Sequence, residues 1–246
     1  METTSLYHYC KLATAIEYIL PAKRLLLNQL GKTNDPRENK DFVFAGLNIS
    51  ANEPFNLNEQ NALITRELRR DCKLLCLCKD HSPFFGYELS RMWALYGDNH
   101  KGICIEFDIE LFKKENASKI DVANFREIKY YRLDVTQPIV HREVDYERVT
   151  RVGLAKYVRE DFRPNNLEYL FFTKNKEWES EQEVRLLYFS DATENEYCSI
   201  AKSIRSIYLG VDFNHQYLPA IKATCQSIPI YQLDYRDVRL VVAKKV

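Results

Sequence analysis

Acidic and basic side chains alternate at the start of an apolar segment late in the chain. Residues 178–185 read WESEQEVR and lead into LLYF at 186–189. Because side chains alternate between the two faces of a β-strand, a strand here places Glu181, Glu183 and Arg185 on one face, with the carboxylates about 7 Å apart. Such a group either binds a polar substrate or closes an ion-pair network.

Two earlier segments carry polar residues that are candidates for a binding site. His8 and Tyr9 lie in a β-prone segment, and Lys32 and Asn34 lie in a loop dense in turn-forming residues. A strand followed by a loop of this kind often holds a ligand. The structural alternatives are a strand histidine bonded to a neighbouring carbonyl, and turn chemistry at 34–36.

Trp93, Tyr96 and His100 form another candidate group. Trp93 and Tyr96 are three residues apart on one face of a predicted helix, and His100 lies in the loop beyond it. The rings could stack on a planar ligand, and His100 could act as a general base. Equally, the two rings could face the core, with His100 as a turn residue.

The seven cysteines favour buried, reduced thiols over a disulfide framework, because most have apolar neighbours and their number is odd. Cys72, Cys76, Cys78 and His81 have the residue types of a zinc site but lack paired C-x-x-C knuckles. If 73–79 is a strand, Cys76 and Cys78 point into a core with Leu74.

Composition excludes several classes of protein. Lys plus Arg equals Asp plus Glu at 35 each, so no global charge points to nucleic acid or anionic lipid, although a local basic patch stays open. We expect no membrane association and a cytoplasmic location, because no apolar run approaches the length of a membrane span. With seven glycines and no G-x-S-x-G, P-loop or G-x-G-x-x-G motif, nucleophile-elbow, P-loop and Rossmann enzymes are disfavoured.

The elements that must position these residues are many short strands with inserted helices. This mixture predicts a single α+β domain over 1–246, with a helical region at 140–175 as a candidate insertion. Thr14 is predicted to cap the first helix and Pro21 to end it. The predicted strands are 6–9, 24–28, 73–78, 103–107, 128–132, the acidic strand from 181, 204–210, 230–233 and 238–242; the predicted helices are 15–20, 58–72, 88–96, 146–168 with a break near Pro164, and 216–227; and 42–55 is predicted to be irregular.

Several of these segments, in order and spacing, resemble a large bacterial family catalogued as a domain of unknown function. The family pattern runs LYKY, NDP, MWxxYxxxHxGxCxEF and WxxExEWR. Here the matching segments read LYHY at 6–9, NDP at 34–36, MWALYGDNHKGICIEF at 92–107 and WESEQEVR at 178–185. His8 replaces the usual lysine, and Val184 replaces the usual tryptophan.

A second resemblance is to the H-Y-E type of ADP-ribosyltransferase fold, through an early strand with His8, a loop with Asn34 and a late Glu183 at a strand start. It implies a split, mostly antiparallel sheet that holds NAD as substrate in its cleft. His8, Tyr9, Lys32, Asn34, Trp93, Tyr96, His100 and Arg185 are then the candidate NAD-binding residues. Glu183 is the preferred catalytic carboxylate and Glu181 its partner.

The resemblance further implies a bacterial toxin or anti-phage defence effector that modifies a protein or nucleic-acid acceptor and is held in check by a partner protein. One alternative is a non-catalytic sensor that binds a nucleotide or a phage protein. A second is a metal-dependent nuclease or hydrolase with Glu181, Glu183 and Glu106 as ligands.

Overall fold

The computed structural model describes residues 4–40, 42–49, 56–132 and 142–246, and its centre is one large β-sheet. The strands are β1 Ser5–Cys10, β2 Arg24–Leu26, β3 Asn28–Gln29, β4 Phe44–Leu47, β5 Cys72–Lys79, β6 Ile103–Asp108, β7 Phe125–Glu127, β8 Lys129–Tyr131, β9 Arg142–Asp145, β10 Thr173–Asn175, β11 Glu183–Phe189, β12 Tyr197–Ser199, β13 Ile204–Leu209, β14 Ile230–Arg236 and β15 Arg239–Lys245.

The large sheet has the order β15-β14-β13-β6-β1-β5-β11-β7, with β3 also paired to β5. β13 and β14 run parallel, and the other neighbouring pairs in this sheet run antiparallel. The predicted α+β class with a mostly antiparallel sheet is therefore confirmed. Small two-stranded sheets join β10 to β8, β12 to β2 and β4 to β9.

The sheet opens between its two central strands. β1 pairs with β6 along its whole length, but it meets β5 only where Leu6 faces Lys79 and Tyr7 faces Cys78. At the other end of β5, the short strand β3 pairs with β5 in place of β1. Beyond Tyr7, β1 and β5 therefore separate, and the side chain of His8 makes a hydrogen bond to the backbone of Cys76 across the opening.

The side chains of β5 alternate between the two faces of the sheet, and each face packs against its own hydrophobic core. Leu75 and Leu77 enter a core shared with the first helical segment and two later helices, whereas Leu74 enters a second core on the opposite face. Cys76 and Cys78 lie on the Leu74 face, as predicted, and all seven cysteines are free thiols. Glu183 and Arg185 lie on this face too, since Glu183 pairs with Cys78 and Arg185 with Cys76.

The helices are short apart from the fourth. They are α1 Leu12–Thr14, α2 Leu20–Ala22, α3 Pro36–Asn39, α4 Leu57–Arg70, α5 Ser90–Leu95, α6 Ile109–Glu115, α7 Tyr146–Val152, α8 Leu154–Tyr157, α9 Arg163–Asn165, α10 Leu167–Phe171 and α11 Leu218–Thr224. π-Helical turns at Ala15–Ile19 and Val158–Phe162 join some of these helices, and 3₁₀ turns lie at Leu30–Lys32, Gly86–Glu88, Lys176–Glu181 and His215–Tyr217. Within the described ranges, no helix is long and apolar enough to cross a bilayer.

Some local predictions were wrong. Thr14 lies inside the first helical segment and caps nothing, because the helix already begins after Lys11, and Pro21 is accommodated in its last turn. The segment predicted to be irregular contains strand β4, while its residues 50–55 lie outside the described part of the chain, as do 140 and 141 of the candidate insertion. The break predicted near Pro164 falls at Asn166.

Candidate functional site

The acidic segment does not enter the sheet as the continuous strand that its alternation predicted. Residues Lys176–Glu181 form a 3₁₀ turn, which begins with the Asn175 side chain accepting the Glu177 N–H. Gln182 then takes a left-handed conformation with φ +47°, and β11 begins only at Glu183. Glu181 therefore precedes the strand, and the turn brings its carboxylate beside that of Glu183.

One lysine joins the two carboxylates. The Nζ atom of Lys174, on β10, lies 2.9 Å from Oε2 of Glu181 and 2.6 Å from Oε2 of Glu183. The side chains of all three residues are at most 6% exposed. Three buried charges are therefore held within hydrogen-bond distance, a geometry in which each charge depends on its partners.

Arg185 extends this group of charges deeper into the protein. Its Nε atom lies 2.7 Å from Oε1 of Glu183, and its Nη1 atom lies 2.5 Å from Oε1 of Glu38 and donates to the Phe171 carbonyl at 2.7 Å. The Arg185 side chain is fully buried. The buried network thus contains the carboxylates of Glu38, Glu181 and Glu183 and the cations of Lys174 and Arg185, so ionised it carries one net negative charge.

The network keeps Glu183 and Lys174 ionised at neutral pH, because it shifts the pKa of each away from neutrality. Burial alone would raise the pKa of Glu183, but Arg185 and Lys174 together outweigh it and hold this pKa at about 2. Burial would lower the pKa of Lys174, but the charge of Glu183 raises it well above its ordinary value. Glu183 is consequently a carboxylate under any physiological condition and cannot act as a general acid.

Aromatic side chains cover the outer end of the network. The Tyr96 hydroxyl donates to Oε1 of Glu181 at 2.7 Å and also hydrogen-bonds the side chain of Asn34. The Trp178 ring lies 5.4 Å from Nζ of Lys174 and 5.3 Å from the guanidinium carbon of Arg91. Tyr96 and Trp178 are both partly exposed, so this is the end of the network that solvent can approach.

His8 and Tyr9 lie apart from the carboxylates. His8 follows Leu6 on β1, whose side chain enters the core of Leu75 and Leu77, so it lies on the opposite face of the sheet from Glu183. Burial lowers the pKa of His8 to about 4, with a smaller opposing effect of its bond to Cys76, so the ring is neutral at pH 7. It cannot offer a diphosphate a positive charge there.

The predicted group of Trp93, Tyr96 and His100 is divided between two environments. Trp93 is fully buried, donates from Nε1 to the Tyr87 carbonyl at 2.8 Å and packs edge-on against Tyr9 at 5.0 Å. Its ring also stacks on His100 at 6.4 Å. Tyr96 instead contacts Glu181. Trp93 therefore has the core position that was its structural alternative, and Tyr9 packs beside it in the core.

His100 lies in a strained turn. Asp98, Asn99 and His100 have φ values of +54°, +50° and +67°, a left-handed run that is costly for residues with a Cβ atom. Nδ1 of His100 is buried without a hydrogen-bond partner. Among the described residues, no contact links His100 or the exposed Lys32 to the carboxylate network, so neither belongs to the group of charges around Lys174.

Two members of the network, Lys174 and Glu38, were not identified as site residues from the sequence. Lys174 follows the apolar segment 167–172, and a lone lysine after such a segment is a signal that could have suggested a buried counter-ion for the glutamates. Glu38 lies far from Arg185 in sequence, in the short helix α3, and nothing in its neighbours indicates the pairing.

The three glutamates proposed as metal ligands do not meet. Glu106 faces Tyr7 on β1, Tyr7 faces Cys78 on β5, and Cys78 faces Glu183 on β11, which separates Glu106 from Glu183 by about 14 Å at the usual strand spacing. Glu106 accepts hydrogen bonds from Ser5, Ser206 and Tyr208 instead. In the described ranges no three acidic, histidine or cysteine side chains are placed to hold a metal ion, so these three glutamates do not form the ligand set that was predicted.

The comparisons with known proteins give a match to one family model over part of the chain and indicate no activity. Residues 92–186 match the model of a family described as a protein of unknown function (DUF2971). The resemblance stated from the sequence is therefore confirmed over this segment, which contains most of α5, the turn of His100 and both glutamates, whereas the segments 6–9 and 34–36 lie outside the match. Neither curated proteins nor solved structures give a match.

Proposed function

We propose that the protein is an ADP-ribosyltransferase-like enzyme that cleaves NAD, with the Glu181–Lys174–Glu183 group as its reactive centre. The observation that carries the proposal is the carboxylate of Glu181, which Lys174 and Tyr96 fix at the outer end of the buried network. Cleavage of the nicotinamide–ribose bond creates positive charge on the ribose, and a preorganised carboxylate stabilises that charge.

The proposed transfer of ADP-ribose from NAD to an acceptor requires no oxidant or reductant. The bond between nicotinamide nitrogen and ribose carbon breaks, and nicotinamide leaves as a neutral base with the bonding electron pair. The acceptor then forms a bond to that ribose carbon and loses a proton to solvent. The acceptor is a nucleophilic group on a protein or nucleic acid. If water attacks instead of this group, the product is free ADP-ribose.

The residues have distinct roles in this proposal. Glu181 touches the substrate, since its partner Tyr96 lies at the partly exposed end of the network, beside the Trp178 ring that contacts Lys174. Glu183 is a positioning residue, because it lies deeper in the network, where it contacts the fully buried Arg185 as well as Lys174. The Trp178 ring offers a stacking surface for nicotinamide or adenine, and Asn34 orients Tyr96.

Replacement of Glu181 by glutamine is expected to lower NAD consumption by about a hundredfold to a thousandfold, the usual effect of removing one group that stabilises transition-state charge. Purified wild-type and Glu181→Gln proteins should be compared for NAD loss, with and without bacterial protein and nucleic acid as acceptors. Glu177→Gln is the matched control, because Glu177 lies exposed on the same turn. Equal NAD loss by Glu181→Gln and wild type would overturn the proposal.

A second candidate is a non-catalytic module that binds a nucleotide or a phage protein. It is favoured by the low exposure of the glutamates, 4% for each side chain, and by their full complement of partners. The same assay separates the two functions, since a binding module would bind NAD or another nucleotide in a calorimeter and leave it intact.

We further propose that the enzyme acts as a bacterial toxin or anti-phage effector, restrained by a partner protein. This part of the proposal rests on the family resemblance. Its direct consequence is that expression without the partner slows growth.

A further inference from the structure

Two adjoining cavities on the surface flank the loop Cys225–Pro229. Their volumes are about 460 and 390 Å³, and residues of this loop line both of them. The loop follows helix α11 and leads into β14. The cavities therefore form one surface groove that bends around the loop, and we call it the 225–229 groove.

Its lining is strongly basic in a chain of balanced charge. Lys23, Lys202 and Arg205 line the first cavity, and Lys222 and Lys245 line the second. Among the described residues that line the groove there is no aspartate or glutamate. A concave surface with charge of one sign concentrates ligands of the opposite sign.

Most of these cations are free to meet a ligand. Within the described part of the chain, no salt bridge engages Lys23, Lys202, Lys222 or Lys245. Nζ of Lys23 donates to the Thr224 carbonyl at 2.7 Å, which fixes it at the wall of the first cavity. Arg205 is paired with Asp108 at 2.5 Å, so four lysines carry the unpaired charge.

The positions of the lysines indicate which class of anionic ligand the groove can bind. They are spread over both cavities instead of converging on one point, as a single phosphate would require. No aromatic side chain is among the described lining residues, so the groove lacks the stacking platform that binds single-stranded bases. We infer that the 225–229 groove binds the phosphate backbone of double-stranded nucleic acid without reading its bases.

The groove residues take no part in the proposed cleavage of NAD. None of the groove residues belongs to the network around Lys174. Loss of duplex binding and loss of NAD consumption can therefore be observed separately.

The test is fluorescence anisotropy of the full-length protein with a labelled 20-base-pair duplex over a series of salt concentrations. The triple variant Lys202→Gln, Lys222→Gln, Lys245→Gln is expected to bind about a hundredfold more weakly at 0.1 M salt, with the slope of log affinity against log salt reduced by about 2 to 3, because each lost phosphate contact removes about 0.9 from it. The control variant replaces Lys11, Lys101 and Lys114, which are exposed lysines outside the groove.

Three outcomes would overturn the inference. The wild type fails to bind the duplex, or the triple variant and the control bind it equally well, or inorganic tripolyphosphate binds in the groove and displaces the duplex at equimolar phosphate. The last outcome would identify a site for small phosphorylated ligands. Selective loss in the triple variant, with circular dichroism unchanged, supports the duplex site.

Discussion

Arg185→Met is expected to lower the free energy of unfolding by about 3–5 kcal/mol, the usual cost of leaving a buried charge without its partner. Arg185 is fully buried between Glu183 and Glu38, so its removal leaves the buried carboxylate of Glu38 without this cation and leaves Glu183 with Lys174 alone. Urea denaturation of both proteins measures the difference. The control is Lys113→Met, which breaks an exposed pair with Glu110 and should cost no more than about 0.5 kcal/mol.

If Arg185→Met does not fold, a combined variant keeps the prediction testable. Replacing Glu183 and Glu38 by glutamine in the Arg185→Met background removes the orphaned charges and should recover folding. An Arg185→Met protein as stable as the wild type would show that the buried network does not form in solution.

Lys174→Met is expected to cost a similar amount, about 3–5 kcal/mol at pH 7, and to reverse the dependence of stability on pH. In the wild type, the pKa of Glu183 falls from its ordinary value of 4.5 to about 2, so its stabilising contribution is complete above pH 4.5 and is lost as the pH falls towards 2. Without Lys174, two neighbouring carboxylates repel each other in a buried site, and the pKa of one rises.

A carboxyl group with a raised pKa in the folded protein stabilises the fold at low pH and loses that effect as the pH rises through the new pKa. Lys174→Met should therefore become more stable, relative to wild type, as the pH is lowered from 7 to 5. Urea midpoints at both pH values measure this change. Lys129→Met is a matched control on the adjacent strand, where Lys129 pairs with Glu168 in solvent. Parallel pH profiles for Lys174→Met and wild type would contradict the prediction.

The face of the sheet to which each strand residue points could be predicted from sequence, because the alternation of side chains along a strand depends only on local backbone geometry. Arg185 and Glu183 share a face, Val184 and Leu186 share the other, and Cys78 points to the side of Leu74. The position of Glu181 was predicted wrongly because glutamine rarely adopts positive φ, so nothing at Gln182 indicated that the strand would begin at Glu183, two residues later than predicted.

The partners of the acids could not be predicted, because they depend on long-range packing. Glu38 reaches Arg185 from a distant helix, and Lys174 reaches Glu183 from a strand of a different sheet. The alternation of charged and apolar residues at the start of this strand allowed two interpretations, a substrate site and an ion-pair network, for Glu181, Glu183 and Arg185. The ion-pair network is present, and the proposed reaction uses its outer end.

Induction of wild type, Glu181→Gln and Glu177→Gln in a bacterial host, followed by growth, cellular NAD and a mass scan for ADP-ribose adducts, tests the proposed function most directly. The proposal predicts slowed growth with NAD loss or a new adduct for wild type and Glu177→Gln, and neither effect for Glu181→Gln at equal protein level. Unchanged growth and NAD in all three strains would contradict it and leave the carboxylates as an ion-pair network within a binding module.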